Sequence, residues 1–133
     1  MASHRTRVDE FYRRLNALDL TATDMCTPDV EWYWPSSTPG TDVFRGPEQM
    51  VDGLQTWTES WGELQFDVDD VVENGDWVLV MVNYRMRGAG SGLALEHTVA
   101  HLHEYDDGKL RRWWMFGDSD KARRRFLAGD RPG

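Results

Sequence analysis

Residues 76–87 read DWVLVMVNYRMR, with no polar side chain on either alternating face between Trp77 and Val82. Trp77, Leu79 and Met81 fall on one side of a strand here, and Val78, Val80, Val82 and Tyr84 on the other. A sheet face open to water alternates with polar residues, so both sides of this strand are expected to be covered. Its neighbours in sequence repeat the extended pattern: LQFDVDDVV (64–72) before it, LALEHTVAHLHEY (93–105) and KLRRWWMF (109–116) after it. The connectors ENG, GAGSG and DDG are turn sequences, which makes the four segments an antiparallel meander. The glycines of RGAGSG (87–92) stand between two strands with no helix behind them, so they form a hairpin loop and not a nucleotide-binding turn.

Helical periodicity dominates the other half of the chain. Residues 4–18 place Val8, Phe11, Leu15 and Leu18 on one stripe, and a shorter helix follows Asp19 and ends before Pro28. DVEWYWP (29–35) is a strand closed by Pro35, and PSSTPGTD (35–42) is loop. RGPEQMVDGLQTWTESWG (45–62) carries Pro47 in a first turn and repeats Met50, Leu54, Trp57 and Trp61 at helical spacing. SDKARRRFLAG (119–129) is a closing helix stopped by Gly129. The class is α+β, with helices on one face of a curved, mostly antiparallel sheet. They are too few to cover both faces, so a second copy of the chain is expected against the other. Val78, Val80, Val82, Tyr84, Ala100 and Leu102 would supply that apolar patch.

The chain has 133 residues, enough for one domain (1–133, ordered core about 5–128) with a core that needs no staples. A net charge of −8 argues against nucleic acid and anionic membranes as partners. The single cysteine, Cys26, cannot close an internal disulfide. No apolar run is long enough to span a bilayer, and MASHRTRV lacks the apolar centre of a signal peptide; the expected location is the cytoplasm.

In order, TPDVEW (27–32), FRGPEQM (44–50), ENGDWVLV (73–80) and EYDDGKLRRWWMFGD (104–118) resemble the SnoaL-like, polyketide cyclase-type domains of the nuclear transport factor 2-like superfamily. The resemblance runs over about residues 5–128. It implies a conical barrel whose sheet wraps around the N-terminal helices, an apolar pocket between them, and dimerisation through the convex sheet face. It implies no cofactor. Set against ketosteroid isomerase, it places Trp32, Trp34, Trp77, Leu79, Met81, Asn83, Arg85, His97, Val99, His101 and His103 on the concave wall. Trp113 and Met115 join them unless a bulge exchanges them for Arg112 and Trp114. The isomerase's base then falls at Trp34, its tyrosine donor near Phe11 and its aspartic acid donor at His101. None of these residue types matches, so that mechanism does not transfer. The family's epoxide hydrolases need inner-wall carboxylates, and this wall offers none.

Three of the four histidines lie in HTVAHLHEY (97–105). His101 and His103 stand about 7 Å apart along one face, and His97 about 13 Å from His101. No third ligand completes a metal site on that wall, so none is expected. The plain reading is that His97 and His103 line the wall. His101 sits at mid-strand depth, where a related fold keeps a proton donor, and an imidazole there can give or take a proton near neutrality. Asp118 reads first as the N-cap of the closing helix. It is also a candidate base, because SnoaL-like cyclases use an aspartate for proton transfer. The candidate catalytic set is therefore His101, Asp118 and His103. Trp32, Trp34, Leu54, Trp57, Trp61, Met81, Asn83, His97 and Trp113 are candidate ligand contacts, suited to a flat aromatic molecule. The leading reading is a cofactor-independent cyclase, isomerase or dehydratase acting on an apolar carbonyl compound in secondary metabolism. A non-catalytic binding domain and an interaction module with an incidental cavity remain as alternatives.

Overall fold

The computed structural model describes residues 4–17, 19–34, 43–88 and 94–132, the side chains of 57–64, 88 and 95 excepted. Helix α1 (His4–Asn16) buries Val8, Phe11, Tyr12 and Leu15, as its apolar spacing requires, while Leu18 lies outside the described residues. Leu20–Met25 is a 3₁₀ turn and not an α-helix; Asp19 caps it by accepting from the Thr21 N–H. Strand β1 (Cys26–Tyr33) and the short β2 (Val43–Arg45) precede helix α2 (Gly46–Ser60). Three residues carry too little alternation to announce β2 in the sequence. Then come β3 (Trp61–Asn74), β4 (Trp77–Gly88), β5 (Ala94–Asp106), β6 (Lys109–Phe116) and helix α3 (Ser119–Leu127).

The six strands form one sheet in the order β2-β1-β6-β5-β4-β3. The meander is antiparallel throughout, and β1 joins it by pairing parallel to β6. The sheet is curved but open, with β2 and β3 as its edges, and does not close into a barrel. An irregularity between Glu104 and Tyr105 sets Arg111 out of register. It lets Leu110 and Trp113, three positions apart, both reach the core under α1 and α2.

Register overturns the expected face of β4. Val78 lies opposite His103, Val80 opposite His101 and Val82 opposite Val99. Directly opposed residues share a face. Val78, Val80, Val82 and Tyr84 therefore belong to the inner core, and Trp77, Leu79, Met81, Asn83 and Arg85 to the outer face. The expectation failed because the register pairs even-numbered residues of β4 with odd-numbered ones of β5. The apolar patch assigned to a dimer fails with it. Four of its six residues point inward, and Ala100 and Leu102 cluster with Leu79, Met81 and Trp114 under Phe126 of α3. The outer cover that β4 demanded is supplied, over this part of the sheet, by the chain's own last helix. Arg112 and Arg131 extend it, their guanidinium groups 5.8 and 5.5 Å from the Trp77 ring centre. Among the described residues no helix is long and apolar enough to cross a membrane.

The inner face is packed tightly enough to invert a helix-propensity rule. A Cβ on Gly53 would stand 3.0 Å from the Trp32 ring and 3.3 Å from Phe44. Trp32 cannot yield easily, because it is fully buried and stacked on Trp113 at 4.4 Å. Alanine for glycine inside a helix contributes about 1 kcal/mol, whereas overpacking costs about 1–3 kcal/mol. Gly53→Ala is expected to lower the melting temperature; a rise in a thermal melt would show that the Trp32–Trp113 stack is loose.

Candidate active site

Five inward positions of β5 carry His97, Val99, His101, His103 and Tyr105. His101 and His103 have 0% exposure, so two imidazoles are held among apolar and aromatic neighbours. Burying polar groups without partners costs about 1–3 kcal/mol each, and here every ring nitrogen has one. The Tyr12 hydroxyl of α1 lies 2.5 Å from Nδ1 of His101 and 3.0 Å from Nε2 of His103. The Tyr84 hydroxyl of β4 is hydrogen-bonded to Nε2 of His101, and the Tyr105 hydroxyl lies 3.1 Å from Nδ1 of His103. The result is one continuous chain: Tyr84, His101, Tyr12, His103, Tyr105.

Burial sets the charge of this chain. It pushes both histidines down, His103 to about 3 and His101 well below the usual imidazole range, with His103 opposing a charge on His101 as well. Burial likewise raises the hydroxyls of Tyr12, Tyr84 and Tyr105. All five rings are neutral at pH 7.

The chain has two ends. Tyr84 lies across from His97, toward the sheet end that also holds Met86, Met115 and Trp34. Trp34, Leu54 and Met86 are half-buried against the inner core. Tyr105 lies at the opposite end, where the His4 ring stacks on it at 4.6 Å. Arg7 donates to Nδ1 of His4, and Nε2 of His4 faces Asp76 at 3.2 Å.

The candidate residues divide accordingly. His101 and His103 share one network, with Trp113 edge-on to both rings and Trp32 stacked behind it. Trp34 packs edge-on against Trp32, and Leu54 borders the same core. His97 is exposed and donates to the Gly117 carbonyl at 3.3 Å. The side chains of Trp57 and Trp61 lie outside the described residues. Met81 and Asn83 are corrected to the outer face, where Asn83 donates to Glu96. Asp118 is separate from the histidines: it caps α3 by accepting from the Lys121 N–H at 3.0 Å, on a groove of about 670 Å³ between α3 and the outer sheet face. The tyrosines are the residues that sequence reasoning missed. Tyr12 sits beside Phe11 on the α1 stripe, and a tyrosine on a buried stripe needs a hydroxyl partner. That was the available signal.

The SnoaL-like domain model matches residues 8–113, from the middle of α1 to Trp113, and so includes all five rings of the chain. The chain belongs to the SnoaL-like domain family. An uncharacterized protein of Mycobacterium tuberculosis (strain ATCC 25618 / H37Rv) is 30% identical over 112 residues, covering 83% of this chain and 85% of the relative. Among solved structures, this SnoaL-like domain is similar to an NTF2-like protein of unknown function from Burkholderia pseudomallei K96243. The TM-score is 0.79 at 20% identity, over 93% of this chain and 97% of that one. It is also similar to TerC, co-crystallised with polyporic acid, with a TM-score of 0.76 at 19% identity over 90% and 94% of the two chains. These likenesses give this SnoaL-like chain its nuclear transport factor 2-like α+β fold.

Proposed function

We propose that this SnoaL-like domain is a cofactor-independent acid–base enzyme that isomerises, cyclises or dehydrates an apolar, aromatic or polycyclic carbonyl compound. The observation that carries the reading is the neutral imidazole of His101, clamped between the hydroxyls of Tyr12 and Tyr84. Both His101 nitrogens are occupied, so His101 does not itself touch the substrate. Tyr84 does. Its hydroxyl can take a proton from a carbon next to a carbonyl while passing its own to Nε2 of His101, and can return one to the enolate oxygen. Half-buried Trp34, Leu54 and Met86 pack against the same core cluster as Tyr84 and offer a flat apolar molecule a surface. That TerC, a protein of similar fold, was co-crystallised with polyporic acid supports a small organic ligand.

The zero exposure of His101 favours a second reading, in which the network only rigidifies the core of a binding domain. Proton exchange separates the two. The protein in D₂O, mixed with a panel of polycyclic ketones such as 2-tetralone and followed by proton NMR, is expected to wash deuterium into the carbon next to the carbonyl. A ketone that binds, seen as a change in tryptophan fluorescence, yet exchanges no faster than in buffer would favour the binding domain.

A further inference from the structure

The acid–base reading uses only the Tyr84 end of the five-ring chain, yet the chain continues past His101 to the opposite end of the same sheet face. Counting hydrogens shows what that continuation does. Each tyrosine has one O–H, and each neutral imidazole has one N–H and one accepting nitrogen. Tyr12 stands between the two histidines and can donate to only one. If it donates to His103, it must accept from His101, so both histidines carry their hydrogen on Nδ1. If it donates to His101, both carry it on Nε2. A mixed pair would either leave a ring nitrogen and the Tyr12 oxygen facing each other lone pair to lone pair, or set both N–H groups on the Tyr12 oxygen and leave its own O–H without an acceptor in the core. The four hydrogen bonds therefore have two collective arrangements of opposite polarity, each with every ring neutral.

We propose that Tyr84, His101, Tyr12, His103 and Tyr105 form a proton relay that links the half-buried rim beside Trp34 and Met86 to the surface beside His4 and Arg7, and that it inverts as one unit. A proton arriving on the Tyr84 oxygen breaks the Tyr84 O–H bond and forms Nε2–H on His101. The Nδ1–H of His101 passes to Tyr12, and the Tyr12 proton to Nε2 of His103. The Nδ1–H of His103 passes to Tyr105, whose own proton leaves to water. One proton enters, one leaves, and no ring is left charged. The two ends are placed for this: Tyr84 and Tyr105 keep 7% and 5% exposure, while the rings between them have at most 1%. Beyond Tyr105, Arg7 and Asp76 hold His4 on the relay's outer end. The purpose of the relay rests on the acid–base reading, but its test needs no substrate.

The test is the tautomer of each histidine, read from ¹⁵N-imidazole NMR of the full chain at pH 7. In the native protein His101 and His103 are expected to share a tautomer. An imidazole N–H buried without an acceptor is tolerated less readily than an unfilled lone pair. Tyr84→Phe should therefore drive both rings to Nδ1–H, and Tyr105→Phe should drive both to Nε2–H. Each change would reach a histidine that the mutated residue does not touch. Opposite tautomers in the native protein would overturn the relay whether or not the variants fold. So would end variants that leave the distant ring unchanged. Matched inversion without any deuterium exchange into ketones would uphold the relay and refute the enzyme.

Discussion

Tyr84→Phe is expected to lower kcat by about 10²–10⁴-fold on a ketone that the protein turns over, with much less effect on Kd. The phenyl ring keeps the packing against Phe66 and removes only the hydroxyl, which is hydrogen-bonded to His101 and Met115 and is the group proposed to meet the substrate. His101→Gln is expected to fail by a similar factor. An amide can still bond a tyrosine on either side, but it cannot exchange a proton between them near neutral pH. Asp118→Asn retains a good N-cap and should leave turnover unchanged. Steady-state kinetics on the three variants decides the matter. If Tyr84→Phe and His101→Gln turn over like the native protein while Asp118→Asn is dead and folded, the chemistry lies on the outer face under α3.

The second large effect is on stability in mild acid. Both buried histidines resist protonation in the fold, His103 down to about 3, whereas an unfolded chain protonates them below about pH 6.5. The unfolded state binds more protons across that window, so stability rises with pH through it and is lost as pH falls from about 6.5. Each histidine that stays neutral contributes a slope of up to about 1.4 kcal/mol per pH unit, or about 4 kcal/mol for the pair between pH 7.5 and pH 5. Denaturant melts at the two pH values should show it, and His103→Gln should remove about half. A stability that is flat from pH 7.5 to 5 would mean the imidazoles are not excluded from water.

The contrast between what the sequence showed and what it did not is physical. Five strands and three of the helical segments were legible because strong period-two or period-3.6 apolar patterns are local properties, bounded here by Pro35, ENG, DDG and Gly129. The face of β4 was not legible. Both of its sides are apolar, so no pattern distinguishes them, and only the pairing across 88–93 decides; a shift of one residue exchanges the faces. Met81, Asn83 and the proposed dimer patch were misplaced for that single reason. The site was half legible. His101 and His103 stood out as polar residues on an apolar alternation, whereas Tyr12 and Tyr84 looked like ordinary core aromatics. Their hydroxyls acquire meaning only when α1 and β4 are brought against β5, from 89 and 17 residues away in the chain.

One measurement bears on all of this most directly: an NMR titration of the His101 imidazole nitrogens between pH 7.5 and 5. A ring closed off between two tyrosine hydroxyls should remain neutral throughout, with one nitrogen protonated and the other accepting. Titration of His101 with a midpoint near 6.5 in the folded protein, like an ordinary imidazole in water, would contradict the closed network and the proton-transfer role built on it.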